Sequence, residues 1–206
     1  MIEMLASIDE KFFLLLNGAH LPWLDEPFML ISGKLIWTPF YAWILWLLSV
    51  KQRVGLWVTL LCIVLMIVVT DQGSGVIKRL VMRLRPTHEP GIMDLVHTVN
   101  AYRGGRFGFF SAHAANAFAL AVFVLRALKS HKFTVIMLVW ATVVSYSRIY
   151  LGVHYPGDIL VGMLSGSAVG WFFYWFSTKI NPFCCAGVGG RSLRDRVLVR
   201  ILSKQV

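Results

Sequence analysis

The chain alternates long apolar runs with short polar stretches, and five of the runs come near the ~20 residues that cross a bilayer core. They fall at roughly 29–50, 54–77, 111–128, 133–152 and 158–178, with a Lys, Asp or Arg near the end of some, so their edges are soft. Residues 4–16 (MLASIDEKFFLLL) mix apolar and charged positions and are too short to span. They predict an amphipathic helix lying in the membrane interface. A cleavable signal peptide fits this stretch poorly, because Asp9 and Glu10 precede its short apolar core and no small-residue cleavage site follows, so retention is expected. The predicted fold class is all-α: an integral membrane bundle of about five transmembrane helices plus an N-terminal interfacial helix.

Composition points the same way. Of the 206 residues, 57% are hydrophobic and 15% charged, with a mean hydropathy of +0.68, too apolar for an ordinary soluble domain. We divide the chain into a membrane-embedded domain at 1–180 and a basic cytoplasmic tail at 181–206. The net charge of +10 is distributed by topology rather than along one stripe, so nucleic acid is not the expected partner. Lys51 and Arg53, then Arg126, Lys129 and Lys132, then Lys179 and the tail all fall on one side of five alternating spans, and the positive-inside rule makes that side cytoplasmic. The opposite side nevertheless holds Lys78, Arg79, Arg83, Arg85, Arg103, Arg106 and Arg148. That breach of the rule implies an anion bound on the periplasmic or exterior face.

Three stretches place polar chemistry at the ends of apolar runs: residues 78–86 (KRLVMRLRP), 110–113 (FSAH) and 147–158 (SRIYLGVHYPGD). Ser111 stands just before a helical run, an N-cap position, so the amides of Ala112, His113 and Ala114 would point outward with the positive end of the helix dipole. Pro156 fits the first turn of the last span, and Asp158 falls within that turn, in reach of His154. The carboxylate can fix the tautomer that exposes the other ring nitrogen of His154 as a nucleophile. Lys78, Arg85 and Arg148 supply cations, two of them guanidinium forks that suit phosphate oxygens. Arg79 and Arg83 are kept outside this group as residues that snorkel to headgroups.

These spacings, Lys-x6-Arg-Pro, then Ser-x-His, then Ser-Arg-x5-His-x3-Asp, resemble the three signature segments of the type 2 phosphatidic acid phosphatase family, which shares its site with the vanadium haloperoxidases. The resemblance implies a lipid phosphatase of the cell envelope. It implies that His154 attacks phosphorus to form a phosphohistidine, Asp158 supports it, and His113 protonates the leaving oxygen and then activates water. It assigns Lys78, Arg85, Ser111, Ala112 and Arg148 to the phosphoryl oxygens. No metal and no other cofactor is expected; a set of His88, Glu89, Asp94 and His97 is read as a solvated loop rather than as ligands. Phe110 and Ala112 depart from the family's usual Pro and Gly, and the methyl of Ala112 could restrict the backbone that touches phosphate.

The expected partners are a phosphorylated membrane lipid and the bilayer itself, in the inner membrane with the site facing outward. Undecaprenyl pyrophosphate, a lipid A phosphate, phosphatidic acid and phosphatidylglycerol phosphate all suit the residues. A haloperoxidase-like enzyme and a transporter that merely binds an anion are the competing classes. The loop at 87–109 carries Tyr102, Arg103, Arg106 and Phe107 and is read as a cap over the site. Asp71, seven residues before Lys78, is expected to be buried with a partner. Cys62 is read as inert packing and Cys184 and Cys185 as unpaired thiols at the cytoplasmic edge. After a Gly-rich connector, residues 191–206 would make a basic amphipathic helix on anionic lipid.

Overall fold

The computed structural model describes residues 2–51 and 55–180. Among them lie seven α-helices: α1 (Ile2–Gly18), α2 (Asp25–Ser32), α3 (Thr38–Lys51), α4 (Leu56–Val81), α5 (Ala112–Leu128), α6 (His131–Tyr150) and α7 (Pro156–Ile180). No strand forms among the described residues, in keeping with the all-α expectation. The tail at 181–206, with Cys184, Cys185 and the helix expected at 191–206, lies outside the described residues, as does Arg53. Four expected spans coincide with α4 to α7, their edges displaced by a few residues; α4, α6 and α7 are long and apolar enough to cross a membrane, and α5 is a shorter apolar helix. Leu61, Val64, Val68, Leu164 and Trp171 stand exposed on α4 and α7, a surface that suits acyl chains rather than water.

The span expected at 29–50 is a correction. It is not one straight helix but a pair, bent by 73° between α2 and α3. Ser32 ends α2, Gly33 turns extended at φ −72°, ψ 146°, and Pro39 sits in the first turn of α3, where its missing N–H is tolerated. Hydropathy is blind to this break because both sides of it are apolar. The break carries Ser32 to the end of α6, where Arg148 donates to its hydroxyl.

The α5 helix is the axle of the bundle. Eleven of its 17 residues are buried, and it packs on α4, α6 and α7. Its face toward α7 is alanine, and α7 answers with Gly162, Gly166 and Gly170 at successive turns. A Cβ on Gly166 or Gly170 would overlap the backbone of Ala115 or Ala119, so the two helices touch main chain to main chain. The register 115 to 166 and 119 to 170 makes the helices parallel. Their N-termini therefore share one end of the molecule, and the amide of Ser111 donates to the carbonyl of Asp158 at 3.1 Å. Lys51 at the end of α3 donates to the carbonyl of Leu128 at the end of α5, so those C-termini share the opposite end. Cys62 is buried in α4 against this core.

One face of α1 packs across the N-terminal end of α7 and the C-terminal end of α6. Phe13 is fully buried, edge-on to Tyr155 at 5.4 Å. Asn17 meets the carbonyls at the end of α6, donating to Ile149 at 3.1 Å and Tyr150 at 2.9 Å while accepting from the His97 amide at 2.8 Å. Leu5, Ile8, Phe12 and Leu15 remain on its outer side, the apolar face expected of an interfacial helix.

Candidate active site

Both ends of the phosphate-like cradle arise from helix starts. Ser111 is the N-cap of α5: its backbone is extended and its Oγ accepts the amide of Ala114 at 3.4 Å. The amides of Ala112 and His113 in the first turn have no intrahelical acceptor and stand at the positive end of the helix. Ala112 is in helical conformation, a region any L-residue adopts, so its methyl brings no backbone strain in place of the usual glycine. At α7, Asp158 is the third helical residue and its Oδ2 reaches back to the amide of Tyr155 at 3.1 Å, the carboxylate half of a capping box. The same Oδ2 lies 3.3 Å from Nδ1 of His154. One helix-start motif thus fixes the carboxylate and, through it, the imidazole, leaving Nε2 of His154 as the other ring nitrogen.

The loop between α4 and α5 is folded back over this end. Leu84 and Phe107 form an antiparallel bridge, with the Arg85 amide on the Arg106 carbonyl at 3.1 Å and the Gly108 amide on the Arg83 carbonyl at 2.9 Å. This zipper holds Arg85, whose Nε donates to the Phe107 carbonyl at 3.1 Å. Arg148 is held by Ser32 and, at 3.1 Å, by the hydroxyl of Tyr102. Lys78 ends α4 with its Nζ 3.3 Å from Ser74. Among the described residues, Arg85 Nη1 and Arg148 Nε are buried donors that meet no acceptor. An oxyanion would satisfy both.

A cavity of about 600 Å³ joins these groups. Lys78, Arg85, Ala112, His113, Arg148 and His154 all line it, so the two imidazoles share one space. Ser111 and Asp158, each fully buried, stand behind the lining. The cavity continues between α3, α4 and α6 along Trp37, Ile44, Ile63, Ile67, Trp140 and Val144, an apolar wall suited to a lipid. Tyr102 and Gly105 close it from the loop, so the segment read as a cap does cover the site.

Electrostatics at the site are set by burial and by excess positive charge. His154 is 1% exposed, and burial together with Arg85, Arg148 and Lys78 holds its imidazole pKa well below the ordinary value. The ring is therefore neutral at neutral pH, the form a nucleophile needs. Burial, then the neighbouring Arg148, also lowers the pKa of Arg85.

Three sequence expectations change. Asp71 is exposed on the cavity wall rather than buried, and its charge acts on Lys78. His97, read as part of a solvated loop, pairs with Asp25 at 3.0 Å and stacks on His20. Arg83, set aside as a headgroup anchor, donates to Asp158 at 3.0 Å and to Asp9 at 2.7 Å. No local signal marks that role, because the loop zipper and α1 create it.

Residues 55–182 match the family model described as the PAP2 superfamily. Over 187 residues the chain is 42% identical to a lipid A 4'-phosphatase of Bacteroides thetaiotaomicron, covering 88% of this chain and 82% of that protein. Over 178 residues it is 37% identical to a lipid A 4'-phosphatase of Porphyromonas gingivalis, covering 84% and 74%. Its fold resembles that of the transmembrane PAP2 type phosphatidylglycerolphosphate phosphatase of Bacillus subtilis, with a TM-score of 0.68 at 24% identity over 87% of this chain and 89% of that one.

Proposed function

The chain belongs to the PAP2 superfamily and is a multi-pass membrane phosphatase, and we propose that it hydrolyses the phosphate monoester of a lipid A-type saccharolipid at the outer face of the inner membrane. The observation that carries this reading is the single cavity that joins two imidazoles, three cations and a helix N-terminus to an apolar wall. Two relatives named for the 4'-phosphate of lipid A, each matched over most of its length, support the choice among lipid phosphates.

The phosphoryl group is received by Lys78, Arg85 and Arg148 with the first amides of α5, a positive excess matched to the extra charge of a five-coordinate transition state. Ser111 shapes that cradle as the cap of α5. Nε2 of His154 forms a bond to phosphorus as the bond from phosphorus to the lipid oxygen breaks, and Asp158 holds Nδ1–H and stabilises the positive charge that develops on the ring. His113 acts as general acid and gives a proton to the leaving lipid oxygen. Neutral His113 then takes a proton from water, whose oxygen displaces His154 and releases inorganic phosphate. Lys51, Arg126, Lys129, Lys132 and Lys179 on the opposite face support the outward orientation by the positive-inside rule, while the cations on this face serve the phosphate.

The test is phosphate release by purified protein in mixed micelles from lipid A, phosphatidic acid, phosphatidylglycerol phosphate and undecaprenyl pyrophosphate. Release from lipid A with the highest kcat/KM, abolished in a folded His154→Ala variant, is the expected result. Release from the other lipids alone would replace the substrate assignment, and full activity of His154→Ala would overturn the catalytic one.

A further inference from the structure

Asp9 sits in α1, outside the residues matched by the family model, yet its carboxylate reaches the catalytic end of α7. Its Oδ2 accepts from Nη2 of Arg83 at 2.7 Å and its Oδ1 accepts from the amide of Gly157 at 2.7 Å. Gly157 lies in the first turn of α7, so that amide is one of the helix's orphan donors, and Asp9 caps it from another helix. The other nitrogen of Arg83, Nη1, donates to Oδ1 of Asp158 at 3.0 Å, while Oδ2 of Asp158 faces His154. One face of the guanidinium is covered as well, its carbon 4.0 Å above the ring of Tyr155. A Cβ on Gly157 would lie 2.6 Å from the Asp9 carboxylate, so the closeness of this approach depends on glycine.

Arg83 is therefore bound by two carboxylates and is not offered to the phosphate, unlike Lys78, Arg85 and Arg148. Burial opposes its charge, and Asp158 and Asp9 more than restore it. We propose that Asp9 is a positioning residue: through Arg83 and the Gly157 amide it fixes Asp158, and hence the orientation of His154, making α1 part of the catalytic apparatus. The proposal rests on the roles given above to His154 and Asp158.

A fork bridging two carboxylates locks Asp158 from the side opposite His154. Losing the Asp9 end frees Arg83 to rotate and leaves Asp158 held by the Tyr155 amide and a mobile guanidinium. Binding of phosphate, which uses other residues, should persist. The loss therefore falls on kcat.

The experiment is a double-mutant cycle in mixed micelles, with Asp9→Asn, Arg83→Gln and the pair, each read as kcat and KM alongside a thermal midpoint. Asp9→Asn is expected to lower kcat roughly tenfold or more, the scale of one charge-assisted hydrogen bond, with KM changed by less than about threefold. In the Arg83→Gln background the same change should have a clearly smaller effect, because Asp9 then acts through the Gly157 amide alone. Gly157→Ala, which displaces Asp9 without altering any charge, should reproduce the kcat loss and covers the case in which Asp9→Asn fails to fold. Additive losses in the cycle, a loss confined to KM, or full kcat in both Asp9→Asn and Gly157→Ala would overturn the proposal. An active His154→Ala control would instead overturn the reading on which it rests, so the two failures are distinguishable.

Discussion

Adding a single methyl at Gly162 should separate the phosphate cradle from the nucleophile. A Cβ there would lie 2.7 Å from the Ser111 carbonyl oxygen and 3.1 Å from the Ala114 Cβ, whereas ordinary contact begins near 3.4 Å. Both obstacles belong to the first turn of α5, one backbone and one a methyl fixed to it, so no side chain can swing aside. The helices must part by several tenths of an ångström at the level where Ser111 meets Asp158. Overpacking of this kind costs about 1–3 kcal/mol of stability. Misplacement approaching 1 Å of groups that must act together costs up to about a hundredfold in rate. We therefore expect Gly162→Ala to lower kcat about tenfold or more and to reduce the thermal midpoint in detergent. The comparison is Gly73→Ala on α4, where a Cβ meets nothing within 4 Å and the change should be neutral or stabilising by up to about 1 kcal/mol. Equal activity and equal midpoints for the two variants would refute the claim that glycine contact sets the spacing of the site.

Arg85→Gln leaves His154 buried but removes a cation that helps hold its pKa below the ordinary value, so that pKa should rise and the acid limb of kcat/KM should move to higher pH; an unmoved or lowered limb contradicts the assignment. Arg148→Lys loses the fork that Ser32 and Tyr102 aim, leaving no Nε directed at the cavity, and kcat/KM should fall by about 2 kcal/mol, read from initial rates of phosphate release. Asn17→Leu strands the carbonyl of Tyr150 and the amide of His97 and takes one of its donors from the carbonyl of Ile149, and should destabilise the protein by about 2 kcal/mol or more in chemical denaturation.

Much of this architecture is legible in one dimension because two of its causes are local. Bilayer thickness imposes run length, so α4 to α7 are visible as apolar stretches, and helix starts have residue signatures, so Ser111 and the Pro156 to Asp158 turn announce the two halves of the site. The bend between α2 and α3 is hidden, since Gly33 and Pro39 interrupt a run that stays apolar on both sides. Gly162, Gly166 and Gly170 do carry a readable four-residue spacing, but only their partner alanines on α5 give it meaning. Arg83 is the instructive miss: two residues from Arg85 in a basic stretch, it has the same local character as a headgroup anchor. What separates the two arginines is the pairing of Leu84 with Phe107 and the approach of Asp9, contacts far apart along the chain. Asp71 errs in the other direction, because a carboxylate in an apolar run reads as buried when no cavity is known to open beside it.

The account turns on nucleophilic attack by one nitrogen of His154, and the covalent intermediate can be sought directly. Protein quenched in alkali during turnover of radiolabelled lipid A phosphate should carry an acid-labile phosphoryl group on the peptide containing His154, absent from His154→Ala. Phosphate released at the full rate with no such phosphoprotein, or with the label on another residue, would contradict it.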